Sequence, residues 1–149
     1  MKKFIKDMLK SFTCGALIGS ICCCYVANVT AASSNGEPLR EQLGSVSYTM
    51  QNSISNGNNS INAYTFNTAS KVLEAGCLGI RPTLYSEAGN IVSRSNWVYS
   101  AVDSSGVSAS VSKTDYTSNY YYSWGDARIW NGSYYDEYYP GRTPNLRFQ

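Results

Sequence analysis

Apolar residues recur at every second position through much of this chain, and that period constrains the fold more than any other feature. Val46, Tyr48 and Met50 alternate with Ser45, Ser47 and Thr49. Leu78, Ile80 and Leu84 alternate with Arg81, Thr83 and Tyr85, and Val107, Ala109 and Val111 with Ser108, Ser110 and Ser112. Side chains on a strand point to opposite faces in turn, so this is the pattern of half-buried strands. The best helical window, Ala69 to Gly76, is too short to stand alone and reads as an extension of the preceding strand or a single turn.

Turn-forming residues punctuate the runs. Gln51 to Ser60 reads as a loop rich in Asn, Ser and Gly, and Glu87 to Asn90 and Asp103 to Gly106 as turns. Between them lie predicted strands at Ser45–Met50, Ile61–Thr68, Leu78–Ser86 and Ile91–Val102. Pro82 lacks an N–H, which predicts an edge or a bulge for the strand that holds it. Turn signals about every 8–12 residues are the mark of a sandwich or barrel. The expectation is an all-β fold, a small antiparallel β-sandwich or barrel-like domain over residues 45–149.

The stretch from Tyr116 to Phe148 carries eight of the thirteen tyrosines and two of the three tryptophans. Asn131-Gly132 near its middle predicts a tight type I′ hairpin with arms Tyr120–Trp130 and Ser133–Tyr139. Tyr120, Tyr122, Trp124, Asp126, Arg128 and Trp130 share one parity, but apolar groups sit on both. Gly125 is therefore expected to mark a bulge that swaps faces, sending Tyr120 and Tyr122 to the core side with Ala127 and Ile129. Tyr134-Tyr135 and Tyr138-Tyr139 are adjacent pairs, so at least two of these four rings must leave the core side of an extended segment.

The N-terminus carries Lys2, Lys3, Lys6 and Lys10, followed by a mostly apolar Phe12 to Val26 and small residues at Val29-Thr30-Ala31. That order predicts a helical secretory signal peptide over residues 1–31, cleaved near Ala31, and an extracellular product. An uncleaved membrane anchor is the alternative. Residues 32–44, with Asn35-Gly36 and Pro38, read as a flexible arm. Cys14, Cys22, Cys23 and Cys24 all precede the expected cleavage point, which leaves Cys77 alone, without an internal disulfide. Export without disulfides leans toward a Gram-positive bacterium.

Charge and residue types narrow the function. The whole chain is +2, but beyond residue 31 eight basic residues face nine acidic ones. No basic stripe appears, so nucleic acid is not an expected partner. Histidine is absent, which removes Ser-His-Asp and Cys-His catalysis and most zinc sites. Asp136 and Glu137 are adjacent and point to opposite faces of a strand, a poor start for a glycosidase pair. No cofactor, metal or catalytic residue is assigned, and the expectation is a protein that is not an enzyme. Cys77 reads as a buried, inert thiol.

The aromatic excess is the one feature that invites a function. Tyr and Trp offer large contact area with a polar handle at small entropic cost. Trp97, Trp124, Trp130, Tyr134, Tyr135, Tyr138 and Tyr139 are the candidate binding residues. They predict a secreted binding module that contacts a cell-surface glycan or protein. The alternative is a membrane-active, bacteriocin-like or toxin-like factor, motivated by interfacial aromatics and the Val107–Val111 alternation.

Overall fold

The computed structural model describes residues 32–57, 59–114 and 119–148. The expected signal helix, its cleavage site and the four cysteines before Ala31 lie outside the described residues. Within them the chain is all-β, with thirteen strands in three antiparallel sheets.

The largest sheet is built on two long strands, β3 (Val46–Asn56) and β4 (Ile61–Leu73). On the outer side of β3 lie β1 (Ser33–Asn35) and β2 (Leu39–Leu43), end to end, and on the outer side of β4 lies β9 (Ser104–Lys113). Two expectations change here and one reading of a third is settled. The arm at 32–44 is strand for much of its length, because Leu39 and Leu43 turn in against the core. The loop expected from Gln51 starts only after Asn56, because Asn52 and Ile54 continue the inward parity of Met50 and are fully buried. Residues 69–73 extend β4, as one of the two readings of that window had it.

The other two sheets have four strands each. One runs β12 (Tyr135–Tyr138), β11 (Asp126–Trp130), β5 (Leu78–Arg81), β8 (Val98–Tyr99). The other runs β13 (Leu146–Phe148), β10 (Asn119–Ser123), β6 (Thr83–Ser86), β7 (Ile91–Arg94). They are joined end to end: β5 continues into β6 across Pro82, and β10 into β11 across Trp124-Gly125. Pairing of Leu84 with Ser123 and of Arg81 with Asp126 keeps one register across the seam. No residue is inserted between these two strands, so Gly125 swaps no faces. Tyr121, Ala127 and Ile129 turn inward, while Tyr120, Trp124 and Trp130 are exposed; Tyr122, on the same parity as Tyr120, is nonetheless buried, as expected of it. Pro82 lies between inner strands, not at an edge; the seam is where its missing N–H does least harm.

A buried amide closes the seam from the facing sheet. Asn52 donates Nδ2 to the carbonyls of Gly125 (3.2 Å), Pro140 (3.1 Å) and Gly141 (3.3 Å). Its Oδ1 accepts from Gly125 N (3.0 Å) and Thr65 Oγ1 (2.8 Å). Backbone groups freed by the break thus find partners, as buried ones must. Glycine is required at 125, since a Cβ there would stand 2.1 Å from Thr65 Oγ1 and 2.7 Å from Arg81 O.

Two apolar clusters flank this polar belt. Val46, Tyr48 and Met50 pack on Leu78, Ile80, Ala127 and Ile129. Ile54, Ile61 and Ala63 pack on Leu84, Tyr121 and Phe148. Each fully buried aliphatic contributes about 1.5–3 kcal/mol relative to exposure. The two small sheets therefore lie with one face on the large sheet and the other outward.

The hairpin between β11 and β12 forms, but not as a type I′ turn. Trp130 pairs with Tyr135 across a four-residue loop. Gly132 has φ of 102°, whereas Asn131 does not take positive φ. Asn131 Oδ1 instead accepts from the backbone N–H of Ser133 and Tyr134 and shapes the loop. The expected strand Ile91–Val102 is likewise divided, into β7 and β8, around Ser95–Trp97.

Candidate functional site

The outward face of the two joined sheets gathers the aromatics and most of the arginines. Its residues come from one parity of each strand: Arg81, Thr83 and Tyr85 on β5–β6, Tyr122, Trp124, Asp126, Arg128 and Trp130 on β10–β11, and Tyr135 and Glu137 on β12.

Near the β8 end, Trp97 lies under two guanidinium groups. Arg128 Cζ is 3.8 Å and Arg81 Cζ 4.6 Å from its ring centroid. Each arginine is aimed by a carboxylate. Arg81 donates Nε and Nη2 to Asp126 Oδ2 at 2.9 and 2.5 Å. Arg128 donates Nε and Nη2 to Glu137 Oε1 and Nη1 to the Tyr99 hydroxyl. Burial works against the charge on Arg128, but the hydrogen bonds to Glu137 and Tyr99 outweigh it and raise its pKa above the ordinary arginine value. The same bond from Arg128 holds the Glu137 carboxyl below its usual range. Tyr99 lies across Gly79, where a Cβ would stand 2.7 Å from its ring.

From Tyr99 the rings continue to Tyr135 (centroids 5.2 Å apart) and Trp130 (5.1 Å). The Tyr135 hydroxyl donates to Gly76 O at 2.8 Å, and burial raises its pKa. Trp130 is 38% exposed and stands between two open hollows. One, of about 330 Å³, is bordered by Glu74, Gly76, Cys77 and Tyr135; the other, of about 460 Å³, by Gln42, Gly44, Tyr48 and Asn131.

Across the seam a second platform forms. Tyr85 and Tyr122 stack with centroids 5.1 Å apart and planes 5° apart. Trp124 lies 6.2 Å from Tyr85, and Arg142 covers Tyr122 at 4.4 Å. Arg94 donates to Thr83 Oγ1 (2.9 Å) and to the Tyr85 hydroxyl (3.2 Å). Arg81, Tyr85, Arg94, Trp124, Asp126 and Tyr139 border an open hollow of about 240 Å³. Trp124 is 42% and Tyr139 59% exposed there.

Five of the seven sequence-derived candidates, Trp97, Trp124, Trp130, Tyr135 and Tyr139, border this face or its hollows. Tyr134 is exposed in the hairpin loop beyond it, and Tyr138 is half-buried and packs on the core. Tyr122, read as a core residue, is buried beneath Tyr85 and Arg142. Tyr85, Tyr99 and the arginines at 81, 94, 128 and 142 were missed. Their signal was present as outward parity in their own strands, but nothing local said that the strands adjoin. Val107, Ala109 and Val111 turn inward against the two clusters. Among the described residues, no helix is long and apolar enough to cross a membrane, and no three His, Cys, Asp or Glu side chains are grouped to hold a metal. Asp136 accepts from Asn131 while Glu137 pairs with Arg128, so the two adjacent carboxylates diverge.

Cys77 is half-buried and not in a disulfide. Burial, then Glu74 and Asp103, push its thiol pKa up. Comparison with protein families, with curated proteins and with solved structures finds no match to the chain.

Proposed function

We propose that this chain is a secreted, non-enzymatic binding module of β-sandwich architecture, and that its outer aromatic face holds a cell-surface glycan. One observation carries the reading. Exposed Trp124 and Trp130 stand on a single sheet face, among arginines already oriented by carboxylates or ring hydroxyls. A pyranose ring has an apolar C–H face that stacks on an indole and a rim of hydroxyls that take directional hydrogen bonds. Flat rings interleaved with fixed donors and acceptors match both halves of that surface. Pre-ordered side chains also lose less entropy on binding.

The experiment is capture of the purified chain on a printed oligosaccharide array and on insoluble peptidoglycan. Retention on at least one glycan, competed by the free sugar, is the expected result. Retention on none, with capture by a surface protein instead, would replace the glycan with a protein partner.

A further inference from the structure

We propose that β9 is a self-pairing edge, and that two copies of this chain join through it into one continuous sheet. The four sheet edges are unequal. The edge made by β1 and β2 is interrupted at Gly36–Pro38, and its strands have three and five residues. The β7–β8 edge has strands of four and two residues, separated at Ser95–Trp97. The β12–β13 edge has four and three, separated by a segment holding Pro140 and Pro144. All three carry the interruptions that keep edges from pairing. β9 has ten residues, no proline and no charge before Lys113; its register with β4 shifts between Ser104 and Gly106 and then runs unbroken over Gly106–Lys113, and among the described strands it pairs only with β4. A strand that long presents an open row of N–H and C=O groups to an incoming strand.

Its sequence selects the partner. Val107-Ser108-Ala109-Ser110-Val111 reads the same in both directions. In an antiparallel pair centred on Ala109, Val107 opposes Val111 of the second copy and Ser108 opposes its Ser110. From Val107 to Val111 each inward position then meets an inward apolar residue and each outward serine meets a serine; beyond them Gly106 opposes Ser112 and Ser105 opposes Lys113. Such a contact is isologous and closes at two copies. Because opposed residues in an antiparallel ladder share a face, both copies turn their small sheets to the same side. For the glycan reading above, this doubles the binding face in one direction; the pairing itself does not rest on that reading.

The test is the mass of the full chain by light scattering and sedimentation, at up to about 200 μM, in the range where small interfaces are populated. A reversible dimer is expected. S108K/S110K places like charges directly opposite each other and is expected to weaken the dimer about five- to thirty-fold. S108K/S110E places opposite charges in the same positions and is expected to restore it. Both positions are exposed, and circular dichroism checks that the fold persists. A wild-type chain that stays monomeric throughout overturns the proposal, as does equal dimerisation of the two double variants. Capture of glycan by a monomer would leave the binding reading standing while this one fell.

Discussion

Replacing Asn52 with leucine should cost about 2–4 kcal/mol, although the two side chains are close in size. The magnitude follows from what the amide holds. Gly125 N–H and the Thr65 hydroxyl lose their acceptor, and three carbonyls lose two shared hydrogens. An orphaned buried polar group costs about 1–3 kcal/mol, and rotation of the Thr65 hydroxyl recovers part of one. Burying leucine at a fully enclosed site returns about 1.5–3 kcal/mol, which offsets part of the loss from several orphaned groups and brings the net to the figure above. Urea unfolding measures it directly, and the melting temperature should fall by roughly 8–16 °C. Thr65→Val supplies the cross-check, since it should cost much less in the Asn52→Leu background than in the wild-type chain. Ser53→Ala, on the same strand but facing outward, should change stability by less than about 0.5 kcal/mol. An N52L protein within about 1 kcal/mol of wild type would refute the idea that this amide closes the seam.

Other consequences are simpler to state. Gly125→Ala should destabilise by about 2–4 kcal/mol in the same urea assay, and Thr65→Ala should not rescue it, because the backbone of Arg81 and Pro82 also blocks the new methyl. Cys77 should react with iodoacetamide far more slowly than glutathione at pH 7.5, with the rate still rising above pH 9, since its thiol pKa is raised; mass spectrometry after timed quenching reads this out. The Glu137 carboxyl has a lowered pKa in the fold, so its contribution is present above about pH 4.5 and is lost as pH falls through the lowered value. Glu137→Gln should thus be slightly less stable than wild type at pH 7, by a fraction of a kcal/mol at this exposed pair, and indistinguishable from it at low pH.

The alternation of Ser45–Met50, Leu78–Tyr85 and Val107–Ser112 was enough to read strands and to say which side chains turn outward. It could not say which strands adjoin, because Arg81 and Asp126 are far apart in sequence and meet only through the packing of β5 on β11. The outward parity of Arg81, Thr83 and Tyr85 therefore did not announce that they share a face with Trp124 and Arg128. Apolar groups on both parities of Tyr120–Trp130 suggested a face swap; in the fold the outer parity is aromatic because it builds a ring platform. Asn52 hid the second half of β3. A polar residue at an inward position ends a pattern by eye, whereas here it satisfies the backbone of the opposite sheet. At Asn131-Gly132 the dipeptide marked the hairpin, but the Asn131 side chain, not a positive φ, sets its loop.

The central claim is that one face of this molecule binds, and two variants test it most directly. Trp124→Ala/Trp130→Ala strips exposed rings from the joined small sheets, and Tyr64→Ala/Phe66→Ala strips a stacked pair 6.2 Å apart from the outer face of the large sheet. On whichever glycan retains the wild-type chain, isothermal titration should show the first variant weakened about 30-fold or more, at roughly 1–2 kcal/mol for each of the two lost rings, and the second unchanged. Full affinity in a folded Trp124→Ala/Trp130→Ala protein, or loss confined to Tyr64→Ala/Phe66→Ala, would contradict the account.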